Sequence, residues 1–141
     1  MRNFYIFQIS EDIEKSLKNN PYELFHALEL IYYRAGYPKF QYNLVKQLIE
    51  PLDTKKIDVA LFKAFKDNYF YTKYKNIHSM HDVYRKENTH LTIHKSYLNL
   101  QTDVLSPAFF TNLKKNRRLF FCDFENADYF WLDSFKEASF I

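Results

Sequence analysis

Two kinds of hydrophobic pattern at the two ends of the chain predict β-strands. Residues 4–9 are aromatic or β-branched at nearly every position, which is typical of a strand covered on both faces inside a sheet. Further along, apolar and polar side chains alternate with period two, which predicts a hairpin with strands at 90–94 and 97–100. Two later runs, 119–124 and 129–132, flank a polar turn and predict a second hairpin.

Helical spacing of apolar residues predicts about five helices between and beside these strands. They lie at 11–18, at 21–35, around Leu44 to Ile49, around Ile57 to Phe65, and from about Pro107 to Leu113. The first helix has acidic residues at its start and an apolar stripe of only Ile13 and Leu17, at i,i+4 spacing. Residues 69–84 show neither period clearly, and the pattern leaves their structure open.

A strand at the start, hairpins at the end and helices grouped early predict an α+β fold. We expect a single domain over residues 1–141, because 141 residues can bury a core without disulfides or metals and no linker or repeat interrupts them. The sheet should be mainly antiparallel, formed by the N-terminal strand and the C-terminal hairpins, and flanked by about five helices. The first strand would then pair with late strands at long sequence separation.

Composition and charge exclude several broad classes of protein. Hydrophobic residues make up 47% of the chain and charged residues 26%, which is typical of a globular domain. The net charge is +3, with acidic residues scattered among basic ones, so no large field of one sign is expected. The amino terminus lacks the pattern of a signal peptide, no apolar run approaches roughly 18 residues, and Cys122 stands alone. We therefore expect a cytoplasmic protein without membrane association.

Four histidines, His78, His81, His90 and His94, have spacings that could suggest a metal site. On one strand the side chains of His90 and His94 would share a face but lie about 13 Å apart, at ~3.3 Å per residue, too far to hold one ion. We therefore expect histidines that face solvent on the hairpins.

The remaining chemical signals favour a protein without enzymatic activity. Cys122 stands beside Asp123, but neighbouring residues of a strand face opposite sides of the sheet, so we expect a buried structural cysteine. The single glycine, Gly36, excludes the usual phosphate-binding and dinucleotide-binding loops. We predict no catalytic residues, no cofactor and no metal.

Recognition by surface remains, and the residues leave alternatives open. The basic cluster at 114–118 could serve a small nucleic-acid-binding domain, but basic residues at a helix end also complement the helix dipole. Direct nucleic-acid binding is therefore not favoured. Ile13 and Leu17 could belong to the domain's own core, or protrude as an apolar pair rimmed by charge, as at a protein interface.

The two ends of the chain carry distinctive aromatic motifs. Residues 2–12 read RNFYIFQISED and residues 22–25 read YELF. Near the other end, residues 120–124 read FFCDF and residues 129–133 read YFWLD, with FKE at 135–137. Over nearly the whole chain these motifs resemble the SirA family, the sporulation inhibitors of replication.

The resemblance implies a cytoplasmic bacterial protein that binds the N-terminal domain of the initiator DnaA and blocks initiation of chromosome replication, without enzymatic activity or cofactor. In the family the contact surface forms around the first helix and an adjoining helix. It falls here on Ile13 and Leu17, with Leu44 and Gln47 as neighbours, and the protein is expected to be a monomer. Ile13 and Leu17 are aliphatic where the family can carry aromatic residues, and Ser134 stands where a proline can occur.

Overall fold

The N-terminal strand lies inside the sheet and pairs with strands from the second half of the chain. The computed structural model describes residues 1–33 and 47–134, which contain seven strands in one antiparallel sheet of order β2-β3-β4-β5-β1-β6-β7. The strands are β1 (Arg2–Gln8), β2 (Tyr71–Tyr74), β3 (Ile77–Asp82), β4 (Glu87–Ile93), β5 (Leu98–Thr102), β6 (Leu119–Asp123) and β7 (Asp128–Trp131).

The first strand, β1, lies between β5 and β6. Phe4 is opposite Leu100 on β5, and Ile6 is opposite Phe121 on β6. Because β1 has a neighbour on each edge and apolar layers on both faces, nearly all of its residues can be apolar or aromatic. The predicted α+β class and the long-range pairing of the first strand are confirmed.

The helices are α1 (Glu11–Leu17), α2 (Pro21–Tyr32), α3 (Thr54–Phe65) and α4 (Phe110–Leu113), followed by a 3-10 turn at Leu132–Ser134. The prediction was about five helices, and four α-helices lie in the described ranges. Of the helix expected around Leu44 to Ile49, the first half lies outside the described residues, and in the second half Gln47 and Leu48 are helical before Ile49 bridges to Ile9. The predicted helix from Pro107 is shorter than expected, because its residues before Phe110 form a turn held by Glu87, whose carboxylate accepts a bond from the Ala108 N–H at 3.1 Å.

The segment that the sequence left open, residues 69–84, supplies the hairpin β2–β3. In its turn Lys75 adopts the left-handed conformation, with φ 53°. Glycine or asparagine at this position would have signalled such a turn, and lysine does not. On β2 and β3 the inward-facing, buried positions include Tyr71, His78 and Met80. The sheet therefore extends two strands beyond the N-terminal strand and the two predicted hairpins.

Apolar side chains cover both faces of the sheet and form two separate cores. One core contains α3 and α4 with residues such as Leu61, Phe109 and Phe121. The other lies over β1, β6 and β7 and contains α2 with residues such as Phe25 and Trp131. Helices α1 and α2 are therefore separated by the sheet from α3 and α4. None of the helices in the described ranges is long and apolar enough to cross a lipid bilayer.

Candidate protein-interaction surface

Helix α1 follows directly from β1 and begins after Ser10. The backbone of Ser10 is extended, with φ −62° and ψ 151°, and its side chain makes no capping bond. The first turn instead carries the exposed carboxylates of Glu11 and Asp12, which interact favourably with the positive end of the helix dipole. The helix ends as the Lys18 N–H donates to the Glu14 carbonyl at 2.8 Å.

Ile13 and Leu17 lie on one side of α1, one turn apart. Both are partly buried and pack against the core that contains Phe120 and Trp131, and no residue of α1 is fully buried. Each side chain therefore has an inward part that contributes to the core and an outer part that reaches solvent. The pair therefore contributes to the core and leaves part of its apolar surface open to solvent.

Gln47 lies close to the start of α1. The Ser10 N–H donates to the Leu48 carbonyl at 3.0 Å, and the Glu50 N–H donates to the Gln8 carbonyl at 2.8 Å. These bonds fix the segment 47–50 beside the junction of β1 and α1, and the Gln47 side chain is exposed there. The structure thus brings Gln47 next to the helix of Ile13 and Leu17. Leu44, the fourth predicted contact residue, lies outside the described residues.

The end of α1 is fixed by Lys18, which sequence reasoning did not single out. Its Nζ lies 4.5 Å from the centre of the Trp131 ring and 2.9 Å from the Asp133 carboxylate. The cation–π contact with the indole ring and the ion pair both stabilise the Lys18 side chain in this place. No sequence signal could have found the contact, because Lys18 and Asp133 are 115 residues apart.

The helices on this side of the sheet are acidic. Residues 11–32 contain five acidic residues and two lysines, a net charge of −3 with histidine neutral. Both lysines are paired: Lys15 lies 3.5 Å from Glu11, and Lys18 lies 3.8 Å from Glu14. A partner complementary to α1 would therefore carry apolar residues with a basic rim.

The basic cluster 114–118 does not act as one free group of cations. Arg118 pairs with Glu50 at 2.8 Å and adopts φ 62° at the entry to β6. Lys115 borders a groove against α3 together with Ala64 and Phe65. At least one of the four cations of the cluster is thus engaged in holding the fold.

The expectation that the histidines face solvent is wrong for His78. This side chain is fully buried between α3 and β2. Its Nε2 lies 2.8 Å from the Asp58 carboxylate, and its Nδ1 lies 2.6 Å from the Tyr71 hydroxyl. The interior needs a polar partner for each ring nitrogen, and helix α3 and the neighbouring strand supply both.

Burial favours the neutral form of both the His78 imidazole and the Tyr71 hydroxyl. Burial lowers the pKa of His78 and outweighs the opposing effect of its bond to Asp58. Burial, together with the nearby Asp58 charge, raises the pKa of Tyr71 to about 12. A neutral imidazole then donates from Nε2 to Asp58 and accepts at Nδ1 from the Tyr71 hydroxyl. The arrangement stabilises the core, and its ring and hydroxyl are too buried to meet a substrate.

The other three histidines lie apart from His78 in separate local contacts. His81 is exposed, His90 lies 2.8 Å from the Ser79 hydroxyl, and His94 stacks on Tyr97 with ring centres 4.5 Å apart. Across residues 1–33 and 47–134, no three His, Cys, Asp or Glu side chains are grouped to hold a metal ion.

Cys122 and Asp123 occupy opposite faces of β6, as the strand period predicts. The Cys122 thiol is buried in the second core, and burial raises its pKa well above the usual value. Asp123 is buried on the other face and bonded to Arg2 and Asn126. Burial would raise the pKa of Asp123, but these hydrogen bonds lower it more strongly. The thiol is therefore structural and lacks the activated, exposed setting of a nucleophile.

A comparison with curated proteins found no match. The sequence model of the family described as "Sporulation inhibitor of replication protein SirA" matches residues 2–136. The match includes β1, α1 and the motifs of β6 and β7, and it covers far more than half of the 141 residues. The chain therefore belongs to the SirA family of sporulation inhibitors of replication.

Proposed function

We propose that this member of the SirA family inhibits initiation of chromosome replication by binding the N-terminal domain of the initiator DnaA. The observation that carries the proposal is the half-covered pair Ile13 and Leu17, with exposed Gln47 beside the start of the same helix. Together they form a small apolar surface with a polar neighbour, the usual make-up of an interface centre. Leu44 is included as a proposed fourth contact.

The proposed mechanism is occlusion and requires no catalysis, metal or cofactor. Helix α1 would cover a patch on the DnaA domain that this initiator needs for self-assembly or for other partners. The acidic rim formed by residues such as Glu11 and Asp12 would favour a basic rim on the DnaA patch and speed association at low salt. The protein would act in the cytoplasm, as a monomer.

Partial burial of the apolar pair affects the choice of variants. Leu17→Glu places a carboxylate at the centre of the proposed interface, but Leu17 also packs against the second core, so some loss of stability is expected. Gln47→Ala is the cleaner variant, because Gln47 is exposed and its truncation leaves the core untouched. Leu105→Glu is a matched control, since Leu105 is 62% exposed and follows β5 at the end of the sheet away from α1.

The test is a calorimetric titration of each purified protein against the isolated N-terminal domain of the host's DnaA. We expect saturable one-to-one binding, weakened at least about 30-fold by Leu17→Glu and about tenfold by Gln47→Ala, and unchanged by Leu105→Glu. Thermal unfolding of each variant separates lost binding from lost folding. Absence of binding by the folded wild-type protein would refute the proposed partner, and full binding by folded Gln47→Ala and Leu17→Glu would refute the proposed surface.

A further inference from the structure

The two helical layers of the fold carry opposite charge. On the side of α1 and α2 the net charge of residues 11–32 is −3, from five acidic residues and two lysines. On the opposite side, residues 54–66, which comprise α3 and its last cap, contain four lysines and one aspartate, a net charge of +3. Asp53 and Asp67 flank this segment and bring the net charge of residues 53–67 to +1, so the positive charge on this side is concentrated on the helix itself.

The four lysines of α3 share its outward side. Ile57 and Leu61 face the core, and at about 100° per residue Lys55, Lys63 and Lys66 point away from it. At a rise of about 1.5 Å per residue, Lys55 and Lys66 are about 16 Å apart. We call this row, with Lys56, the lysine face of α3.

Unlike Lys15, Lys18 and Lys73, which lie within 4 Å of carboxylates, the lysines of this face form no ion pair within the described residues. Among residues 1–33 and 47–134, no carboxylate forms a salt bridge with Lys55, Lys56, Lys63 or Lys66. The one aspartate within α3, Asp58, instead bonds to buried His78 and lies 3.5 Å from Lys73. Of the two aspartates that flank the helix, Asp53 caps it by accepting the Lys56 N–H, and Asp67 follows Lys66.

Cations continue beyond both ends of the lysine face. At the start of α3, a cleft of about 540 Å³ places Lys75 and Lys95 beside Lys55. Near the end of α3, a groove of about 360 Å³ against α4 is bordered by Lys115 and by Arg85, which pairs with Glu87 at 3.4 Å, and is lined by the small side chains Ala64 and Ala108. The result is a basic strip along the whole helix, with a shallow groove beside it.

We propose that the lysine face of α3 is a binding surface for the phosphate backbone of duplex DNA, without base specificity. Duplex DNA carries about one negative charge per 1.7 Å of axis, so a row of about 16 Å meets many phosphates. Unpaired lysines neutralise them by releasing condensed counterions. Among the residues of α3, the large apolar side chains exposed on this side are Val59 and Phe62, at 40% and 45%, and two such side chains do not make the broad apolar face that insertion into a lipid surface needs.

This surface is distinct from the proposed DnaA-binding surface and does not rest on it. Helix α3 packs on the first core and α1 on the second, with the sheet between them. Both surfaces can therefore be occupied at the same time. A protein bound to an initiator through α1 could contact the DNA beside that initiator through α3, which would raise its effective concentration there.

The test compares two variants that lose the same charge at different places. Lys63→Gln removes one cation from the lysine face, and Lys15→Gln removes one exposed cation from the acidic layer on the other side of the sheet. Each protein is titrated into a fluorescein-labelled DNA duplex, and anisotropy is followed at salt concentrations from about 50 to 200 mM. Thermal unfolding checks that both variants are folded.

For wild-type protein we expect affinity to fall about 150-fold over this salt range, from four neutralised phosphates at a slope of about −0.9 each. Lys63→Gln should reduce the slope by about 1, whereas Lys15→Gln should leave it unchanged. Equal weakening by both variants, or no saturable DNA binding at low salt, would overturn the proposal. Binding to phosphatidylglycerol vesicles in place of DNA would also overturn it and assign the lysine face to a membrane surface.

Discussion

The Nζ of Lys18 lies 2.9 Å from the Asp133 carboxylate, and this contact links the end of α1 to the 3-10 turn that follows β7. The same Nζ lies 4.5 Å from the centre of the buried Trp131 ring. Helix α1 has no fully buried residue, and these contacts of Lys18 add to the partial packing of its apolar side chains. Together with the packing of Ile13 and Leu17 against the second core, they hold the helix against the sheet.

This contact predicts unequal effects for its two partners. Asp133→Asn removes an exposed ion pair and should lower the free energy of unfolding by less than about 1 kcal/mol. Lys18→Ala also removes the contact with the Trp131 ring and should cost about 1–2 kcal/mol. Urea denaturation of both single variants and the double variant measures the difference and the coupling. Equal losses for the two single variants would show that the ring contact contributes nothing.

Stability should fall at acidic pH because of His78. Burial lowers the pKa of His78 below its usual value of 6.5, so between its native pKa and 6.5 the unfolded chain binds a proton that the native protein does not. Stability is therefore fully present above about pH 6.5 and decreases as the pH falls below that value. Urea denaturation at several pH values should show this decrease in wild-type protein and a smaller one in His78→Gln. An identical pH dependence in the two proteins would exclude His78 as its source.

The thiol of Cys122 should be almost unreactive in the native protein. It is buried in the second core, and burial raises its pKa, so both access and thiolate formation are suppressed. At about pH 8, a disulfide reagent such as DTNB should react far more slowly with native than with guanidinium-unfolded protein. Since Cys122 is the only cysteine in the sequence, the signal is unambiguous. Rapid stoichiometric reaction of the native protein would contradict its burial.

The turn between β6 and β7 offers a stabilising substitution. Ala127 is exposed and has φ 50°, a conformation that costs a residue with a Cβ about 1–2 kcal/mol and glycine little. Ala127→Gly should therefore raise the free energy of unfolding by up to about 1 kcal/mol, after the extra backbone entropy of glycine. Ala127→Val should lower it, because a β-branched residue tolerates this region poorly. The check is the denaturant midpoint of each variant, which should be higher than that of wild-type protein for Ala127→Gly and lower for Ala127→Val.

Local patterns along the sequence determined the features that depend on near neighbours. The i,i+4 spacing of Ile13 and Leu17 was enough to predict α1, and the period of two was enough to place Cys122 and Asp123 on opposite faces of β6. The motifs at both ends were enough to indicate the family, whose match spans residues 2–136. These features follow from the periods of helix and strand, which can be counted without knowing the fold.

Only the tertiary structure decided which distant residues meet. His78 became a buried core residue because α3 brings Asp58 to it from 20 positions away, and Lys18 met Asp133 across 115 positions. The separation of charge arose because α1 and α2 pack on one face of the sheet and α3 on the other. The net charge of the whole chain does not reveal this separation, because the face of the sheet on which each helix packs is set by tertiary contacts and not by the order of the helices in the sequence.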